Sequence, residues 1–250
     1  MIQDLHSHTY YSFCGKDSPE TIVEAAIAGG IELFGISDHS HGVGNCRRDV
    51  FFTSEEALPY TYDERAFRKY FDHINLIREK YRDKIKILRG IEVGAYLRIP
   101  KVALPIDADI SYFDYCLIEN PDIEYSIIEN RDIFRFAKRC GCPTVGIAHT
   151  DMFKFIGELG EDPYRYFKRM AEENIFWEMN VSYDSIHNYH EHEYVLEFFK
   201  NEEEQAIVRE SGVRLSVGFD GHRIEDYLPG RVKDYCERIT ALGIKLAFED

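Results

Sequence analysis

Short apolar runs and polar residues alternate along the chain in a pattern that predicts parallel strands joined by helices. Seven runs have the length of a buried strand, and each ends at a polar residue. Most stretches between them have apolar residues three or four positions apart, which is typical of amphipathic helices. The predicted strands start near residue 2 and then cover 31–37, 85–93, 114–118, 143–148, 175–179 and 214–218. The predicted helices cover 20–28, 63–82, 127–139, 163–173, 191–211 and 232–242.

The polar residues that follow the predicted strands are mostly about 30 residues apart, which is the length of one βα unit. They are His6, His39, Glu92, Glu119, His149, Asn180 and Asp220. Seven strands that are each followed by a helix predict a closed parallel sheet of the α/β barrel class. In such barrels the functional residues gather at the carboxyl ends of the strands. The sequence therefore predicts that these distant residues form one site.

The interval after His39 is the longest, because residues 42–61 form a predicted loop insertion that contains Arg47 and Arg48. No linker, charge block or shift in composition marks a second domain, and 250 residues suit one barrel. We therefore expect a single domain over residues 1–250.

Composition narrows the class of protein and its partners. The hydrophobic content of 44% and charged content of 30% are typical of a soluble globular protein. Six scattered cysteines favour free thiols in a reducing compartment, and the N-terminus has no signal-peptide pattern. We expect a cytoplasmic protein with no membrane span. The net charge of −15 disfavours binding to long nucleic acids, and the oligomeric state stays open.

The predicted site is rich in side chains that bind metals. Five histidines follow strands together with Glu92 and Asp220; they are His6, His8, His39, His149 and His222. To bury so many imidazoles and carboxylates without partners would be costly, whereas a cation makes each of them a ligand. This mixture of nitrogen and oxygen donors suits zinc, manganese or iron. We expect two or three divalent ions.

Five motifs along the chain resemble those of the PHP family of metal-dependent phosphoesterases, which includes histidinol phosphatases. They are Asp4–Thr9, Ser37–Ser40, Ile147–Asp151 and Gly218–His222, with Gly90–Glu92 as a weaker fifth. The resemblance implies a distorted seven-stranded TIM-like (β/α)7 barrel, up to three metal ions and hydrolysis of phosphate esters.

The resemblance also implies roles for particular residues. The first ion would be held by His6, His8, Glu92 and Asp220. Glu92 would bridge to a second ion that His149 also binds, and His39 and His222 would belong to a third. We expect catalytic roles for His39, His222 and Glu92. The leaving oxygen needs either a metal or a proton donor, and His222 or His39 could donate the proton if the third ion is weak or missing.

Two departures from the family pattern leave ligands open. Cys14 stands where the family usually has His or Asp, and it is either a zinc ligand or a small buried thiol, with Asp17 as a substitute. The histidine that is common after the fourth strand is absent. Glu119 could replace it as a ligand, or it could be an ordinary carboxylate at a strand end.

Further residues are expected around the ligands. Outer groups that orient imidazoles and waters are predicted to be Asp38, Asp151, Glu178 and Asn180. Substrate phosphate should meet a guanidinium, and the candidates are Arg223, Arg47 and Arg48, with Lys154 as a weaker choice. The remaining histidines are predicted to form a polar loop and a helix start rather than another metal site; they are His187, His190 and His192.

The favoured function is hydrolysis of a small-molecule phosphate ester by a metal-activated water, with histidinol phosphate suggested by the family alone. Alternatives are a nucleotide phosphatase or a 5'-3' oligonucleotide exonuclease, in which loop aromatics would stack on bases; these are Phe51, Phe52, Tyr60 and Tyr62. An amidohydrolase-type barrel would usually need a bridging lysine at a strand end, which is not found. A non-catalytic metal-binding barrel is the alternative from another class.

Overall fold

The computed structural model describes residues 1–44, 63–94, 104, 108–122 and 131–249. Seven parallel strands in these ranges form one sheet, and their spatial order is their order in the chain. They are β1 (Gln3–Asp4), β2 (Leu33–Ile36), β3 (Lys86–Gly94), β4 (Tyr115–Glu119), β5 (Val145–Ala148), β6 (Ile175–Asn180) and β7 (Leu215–Gly218). Most of the predicted insertion lies outside the described residues, including Arg47 and Arg48.

The sheet curls into a barrel because the chain just beyond β1 pairs with β7 and the residues after it. The amide of Leu5 donates to the carbonyl of Val217 at 2.9 Å, and Ser7 forms a parallel bridge with Gly221. The amide of Asp220 donates to the carbonyl of His6 at 2.8 Å. The predicted parallel barrel is confirmed.

Helices connect the strands on the outside of the barrel. In the described residues they are α1 (Pro19–Ala28), α2 (Ser40–Val43), α3 (Glu64–Tyr81), α4 (Ile133–Cys140), α5 (Met152–Leu159), α6 (Pro163–Glu172), α7 (Glu193–Phe198), α8 (Glu202–Ser211) and α9 (Pro229–Ala241). None of these described helices is both long enough and apolar enough to cross a membrane.

The connections differ from the sequence prediction in three places. The predicted helix 191–211 is two helices, because the side chain of Asn201 accepts hydrogen bonds from the amides of the next turn and starts α8 there. The first part of the predicted helix 127–139 lies outside the described residues; in the described part α4 begins at Ile133, where the carboxylate of Asp132 caps it. Helix α5 was not predicted, because Gly157 within it weakens the helical pattern.

Both faces of the sheet are buried, as expected for parallel strands covered by helices. All residues of β2, β4, β5, β6 and β7 are buried. One apolar cluster lies between the sheet and the helices. A second cluster fills the barrel and consists of Leu5, Leu33, Leu88, Tyr115, Leu117, Ala148, Phe176 and Ala247. This inner plug supports the polar strand ends above it.

Tyr115 fills the middle of the barrel and needs glycine on two neighbouring strands. Its hydroxyl donates to the carbonyl of Leu5 at 2.6 Å, which fixes the ring. A Cβ added to Gly35 would lie 2.1 Å from the hydroxyl oxygen of Tyr115, and one added to Gly90 would lie 2.4 Å from the Cζ atom of the ring. The absence of side chains at these positions is therefore a packing requirement.

We expect Gly90→Ala to lower the free energy of unfolding by about 1–3 kcal/mol, because the methyl group overpacks a fixed aromatic ring. The measurement is urea unfolding followed by circular dichroism. Gly157→Ala is the matched control, because a Cβ at Gly157 in α5 would meet nothing within 4 Å. That control should leave stability unchanged or raise it by up to about 1 kcal/mol. Equal stability of the two variants would contradict the packing argument.

Candidate metal centre

Glu92, near the end of β3, is the centre of the polar cluster at the carboxyl ends of the strands. Its side chain is 1% exposed and touches four imidazoles. Oxygen Oε1 lies 3.2 Å from Nε2 of both His6 and His149. Oxygen Oε2 lies 2.7 Å from Nδ1 of His39 and 3.4 Å from Nε2 of His8. Residues that follow β1, β2 and β5 therefore converge on one carboxylate.

Asp220 joins the cluster through the closure of the barrel between β1 and β7. Its Oδ1 lies 3.0 Å from Nε2 of His8 and 3.5 Å from Nε2 of His6. The two histidine nitrogens are themselves 3.1 Å apart. The structure thus brings together the four residues that the family resemblance assigns to the first ion.

Glu178 in β6 orients two of these groups from below. Its Oε1 lies 2.7 Å from Nδ1 of His6, and its Oε2 accepts the amide hydrogen of His149 at 2.8 Å. When Nδ1 of His6 carries the hydrogen shared with Glu178, the lone pair of Nε2 is free to bind a cation. Asn180 supports the same carboxylate at 3.3 Å. Both residues occupy the orienting positions that the sequence predicted.

A second group of donors lies beside the first and contains the cysteine that departs from the family pattern. Donor atoms of four residues lie within 4.8 Å of one another; the residues are His8, Cys14, His39 and His222. Burial would raise the pKa of the Cys14 thiol, but His39 and His222 outweigh burial and lower that pKa to about 6. Cys14 therefore has thiolate character and lies among imidazoles.

Glu119 lies at the same level, at the end of β4. Its oxygens are 3.9 Å from Nδ1 of His39 and 3.8 Å from Nε2 of His149. Burial and the nearby charge of Glu92 raise the pKa of Glu119 to about 7. This carboxylate is close enough to share a cation with Glu92, because donor atoms of His39, Glu92 and Glu119 all lie within 4.8 Å.

Two of the strand-end residues are held in a backbone conformation that side chains disfavour. The φ angles of His149 and Asp220 are 27° and 55°. Positive φ in residues other than glycine costs free energy and occurs often at functional sites. The hydrogen bond from the amide of His149 to Glu178 helps to maintain this geometry.

The charges in the cluster require positive partners. Burial acts to raise the pKa of Glu92, but His39 and His6 hold it well below its usual value. Burial would lower the pKa of His149, yet Glu92 raises it to about 9. The buried carboxylate of Glu92 therefore needs positive charge nearby, which either protonated imidazoles or metal cations can supply.

The donor atoms fit divalent metal ions. Nδ1 of His39 and Oε2 of Glu92 are 2.7 Å apart, yet among the described residues neither has a partner in hydrogen-bonding geometry. Buried polar atoms that face each other without a hydrogen bond are expected where both bind one cation. Nitrogen, oxygen and sulfur donors at this density are typical of transition-metal sites.

A cavity of about 390 Å³ opens above the cluster. Its walls in the described part of the chain are formed by Phe13, His39, His41, Glu92, Glu119, Asn120, His149, His187, His192, Asp220 and His222. His187 and His192 were assigned from sequence to a loop and a helix start. His192 does immediately precede α7. Residues near the ends of the other six strands also line this cavity. The position of His187 and His192 after β6 is therefore the sequence signal that they could line it too.

Other predicted residues lie elsewhere. Asp151 caps α5 by accepting the amide hydrogen of Lys154 at 3.0 Å, so it orients a helix and not an imidazole. Asp38 accepts hydrogen bonds from Thr9 and Ser12 and so holds the loop after β1. Lys154 is exposed on α5.

Arg223 follows the last motif but does not belong to the described cavity wall. Its guanidinium donates to the hydroxyl of Ser185 at 3.3 Å. The other predicted guanidinium candidates, Arg47 and Arg48, lie outside the described residues.

Comparison with known proteins gives a family, one curated relative and a solved structure of similar fold. A model of the PHP domain matches residues 4–248. A histidinol-phosphatase from Lactococcus lactis subsp. lactis (strain IL1403) is 30% identical over 117 residues, which are 46% of this chain and 37% of the relative. The match thus spans little more than a third of the length of that relative.

A solved structure covers more of the chain. It is the crystal structure of histidinol phosphate phosphatase from Lactococcus lactis subsp. lactis Il1403, complexed with zinc, L-histidinol and phosphate. The similarity has a TM-score of 0.57 and 17% sequence identity, and it covers 98% of this chain and 95% of that chain. At this identity it shows a common fold.

We expect Glu178→Gln to weaken metal binding about 10–100-fold, because an amide cannot fix the orientation of His6 as a carboxylate does. The measurement is competition for zinc with a chelator of known affinity. Glu172→Gln, at the exposed end of α6, is the control and should bind zinc like the unmodified protein. Unchanged zinc affinity in Glu178→Gln would show that Glu178 has no part in orienting the ligand.

Proposed function

This chain belongs to the PHP domain family, and from that membership we propose that it is a metal-dependent phosphoesterase acting on a small phosphate monoester. Histidinol phosphate is the proposed substrate. The support for this choice is the name of the curated relative and the L-histidinol and phosphate bound in the related crystal structure.

The observation that carries the proposal is the bridging position of Glu92. Each of its two oxygens faces the nitrogens of two imidazoles, at distances between 2.7 and 3.4 Å. A carboxylate with ligands on both sides can bind two ions at once, and paired ions are a common device for phosphoryl transfer.

We propose two or three ions, with zinc, manganese or iron as the candidates. The first would be held by His6, His8, Glu92 and Asp220. The second would be held by Glu92, His149 and Glu119. The third would be held by Cys14, His39 and His222. Zinc suits the third position best, because it accepts thiolate and imidazole together.

Divalent ions bound there would lower the pKa of a water molecule and neutralise charge that develops on the phosphate. The residues of the chain would then position the substrate and move protons. His39 and His222 both line the cavity, so either could donate a proton to the leaving oxygen if the third ion is weakly bound or missing. Arg223, Arg47 and Arg48 stay predictions as phosphate contacts.

The size and charge of the site favour a small substrate. A cavity of about 390 Å³ is in the range that binds metabolites. The net charge of −15 repels long polyanions, which argues against an exonuclease.

We expect the metal-loaded protein to release inorganic phosphate from histidinol phosphate, and we expect a chelator to abolish the activity until zinc or manganese is restored. The assay panel includes p-nitrophenyl phosphate, mononucleotides and a 5'-labelled oligonucleotide. Stronger activity on nucleotides or on the oligonucleotide would favour those alternatives. A protein that holds stoichiometric metal and hydrolyses none of these substrates would be a non-catalytic metal-binding barrel.

We expect Cys14→Asp to shift metal preference from zinc toward manganese by at least about tenfold, since a carboxylate is a harder donor than a thiolate. The measurement is the ratio of zinc to manganese retained after dialysis against equal concentrations of both. Cys142→Ala is the control, because it removes a buried thiol that donates to the carbonyl of Ile110 in the apolar core. If Cys14→Asp and the control retain the two metals in the same ratio, Cys14 is a structural thiol.

A further inference from the structure

A further group of metal donors lies where the loop after β6 meets the chain after β7. It consists of Asp184, His187 and His222, whose donor atoms lie within 4.8 Å of one another. The sequence pattern predicts no role for Asp184 and places His187 in a polar loop. The side chains of Asp184 and His222 are 1% and 5% exposed, so both carry their polar atoms into the interior.

His187 lies between two carboxylates. Its Nδ1 is 2.8 Å from Oδ1 of Asp184, and its Nε2 is 3.2 Å from Oδ2 of Asp220. Each ring nitrogen of His187 thus faces a carboxylate oxygen, which a protonated imidazole satisfies by donating to both. A neutral His187 can donate to only one of them, and a cation bound in this group would then satisfy the other.

The remaining donor atoms of the group face each other without a hydrogen bond. Oδ2 of Asp184 and Nδ1 of His222 are both buried, and neither has a hydrogen-bond partner among the described residues. They are 3.9 Å apart. Bonds of about 2.0–2.2 Å from zinc to nitrogen and oxygen allow one ion to reach two atoms at this separation. The group therefore has the spacing and the unsatisfied donors of a metal site.

His222 also belongs to the group that contains Cys14 and His39. A neutral imidazole offers one lone pair, so His222 binds one ion at a time. We propose that Asp184, His187 and His222 form an alternative position for the ion that Cys14, His39 and His222 would hold. His222 would thus be shared by two positions for the ion, one with the thiolate of Cys14 and the other with the carboxylate of Asp184.

This inference rests on the metal cluster of the proposed function and not on hydrolysis. Its test therefore counts ions and needs no substrate. The probe is zinc alone, added in excess and removed by dialysis to a fixed free concentration, with the bound ions per chain measured by elemental analysis. Failure of the phosphatase assay would leave this count unaffected.

We expect Cys14→Ala alone to keep the same number of zinc ions per chain as the unmodified protein, because the ion moves to the Asp184 side. The double variants Cys14→Ala/His187→Gln and Cys14→Ala/Asp184→Asn should each hold one ion fewer. The matched control is Cys14→Ala/His190→Gln, which removes an exposed histidine of the same loop and should keep the full count.

Two results would overturn the proposal. If Cys14→Ala alone loses an ion, the Asp184 side offers no alternative position. If the His187 double variant keeps the full count, His187 is not a ligand. His187 is partly exposed, so its replacement leaves the core intact, and circular dichroism verifies that each variant is folded before ions are counted.

Discussion

Burial of Glu92 is the constraint on which the rest of this structure depends. A carboxylate that is 1% exposed loses its hydration and must regain the free energy from positive charge and hydrogen-bond donors. Glu92 can regain this free energy only if residues that follow several strands lie around it at about hydrogen-bond distance. The register of β1, β2, β3 and β5 is therefore tied to one side chain. A shift of one residue in any of these strands would turn a ligand away from the centre.

Closure of the barrel serves the same end on its other side. Asp4 accepts the amide hydrogen of Phe219 at 2.9 Å and the hydroxyl hydrogen of Tyr227 at 2.9 Å, so β1 is joined to the chain that follows β7. That junction places His6 and His8 opposite Asp220. The apolar residues inside the barrel support this junction, because the hydroxyl of Tyr115 donates a hydrogen bond to the carbonyl of Leu5. Asp4, which joins β1 to the chain after β7, is thus close in sequence to the ligands His6 and His8.

Sequence reasoning could locate the ends of the strands, because each apolar run stops at a polar residue that the barrel then gathers with the others. His39, Glu92 and His149 are such residues, and the structure brings them together. The position of His187 after β6 indicates only that it could reach the cavity. The contacts that Asp184 and His187 make there could not be predicted, because the course of the loop after β6 decides where they point and no periodicity encodes that course. Arg223 is a different case, because its place beside a motif does not determine where its side chain points. In the structure its guanidinium contacts Ser185, and its role as a phosphate contact stays a prediction.

The charge of the cavity decides how it could receive a phosphate. Its described walls contain histidines, two glutamates and an aspartate, and no lysine or arginine is among them. Like charges repel in a poorly hydrated pocket, so a phosphate needs positive charge near these carboxylates. Protonated imidazoles, or cations held by the carboxylates, could supply that charge. Where cations supply it, the residues that would repel the substrate in the metal-free protein become the residues that favour its binding, and substrate affinity would depend on metal occupancy.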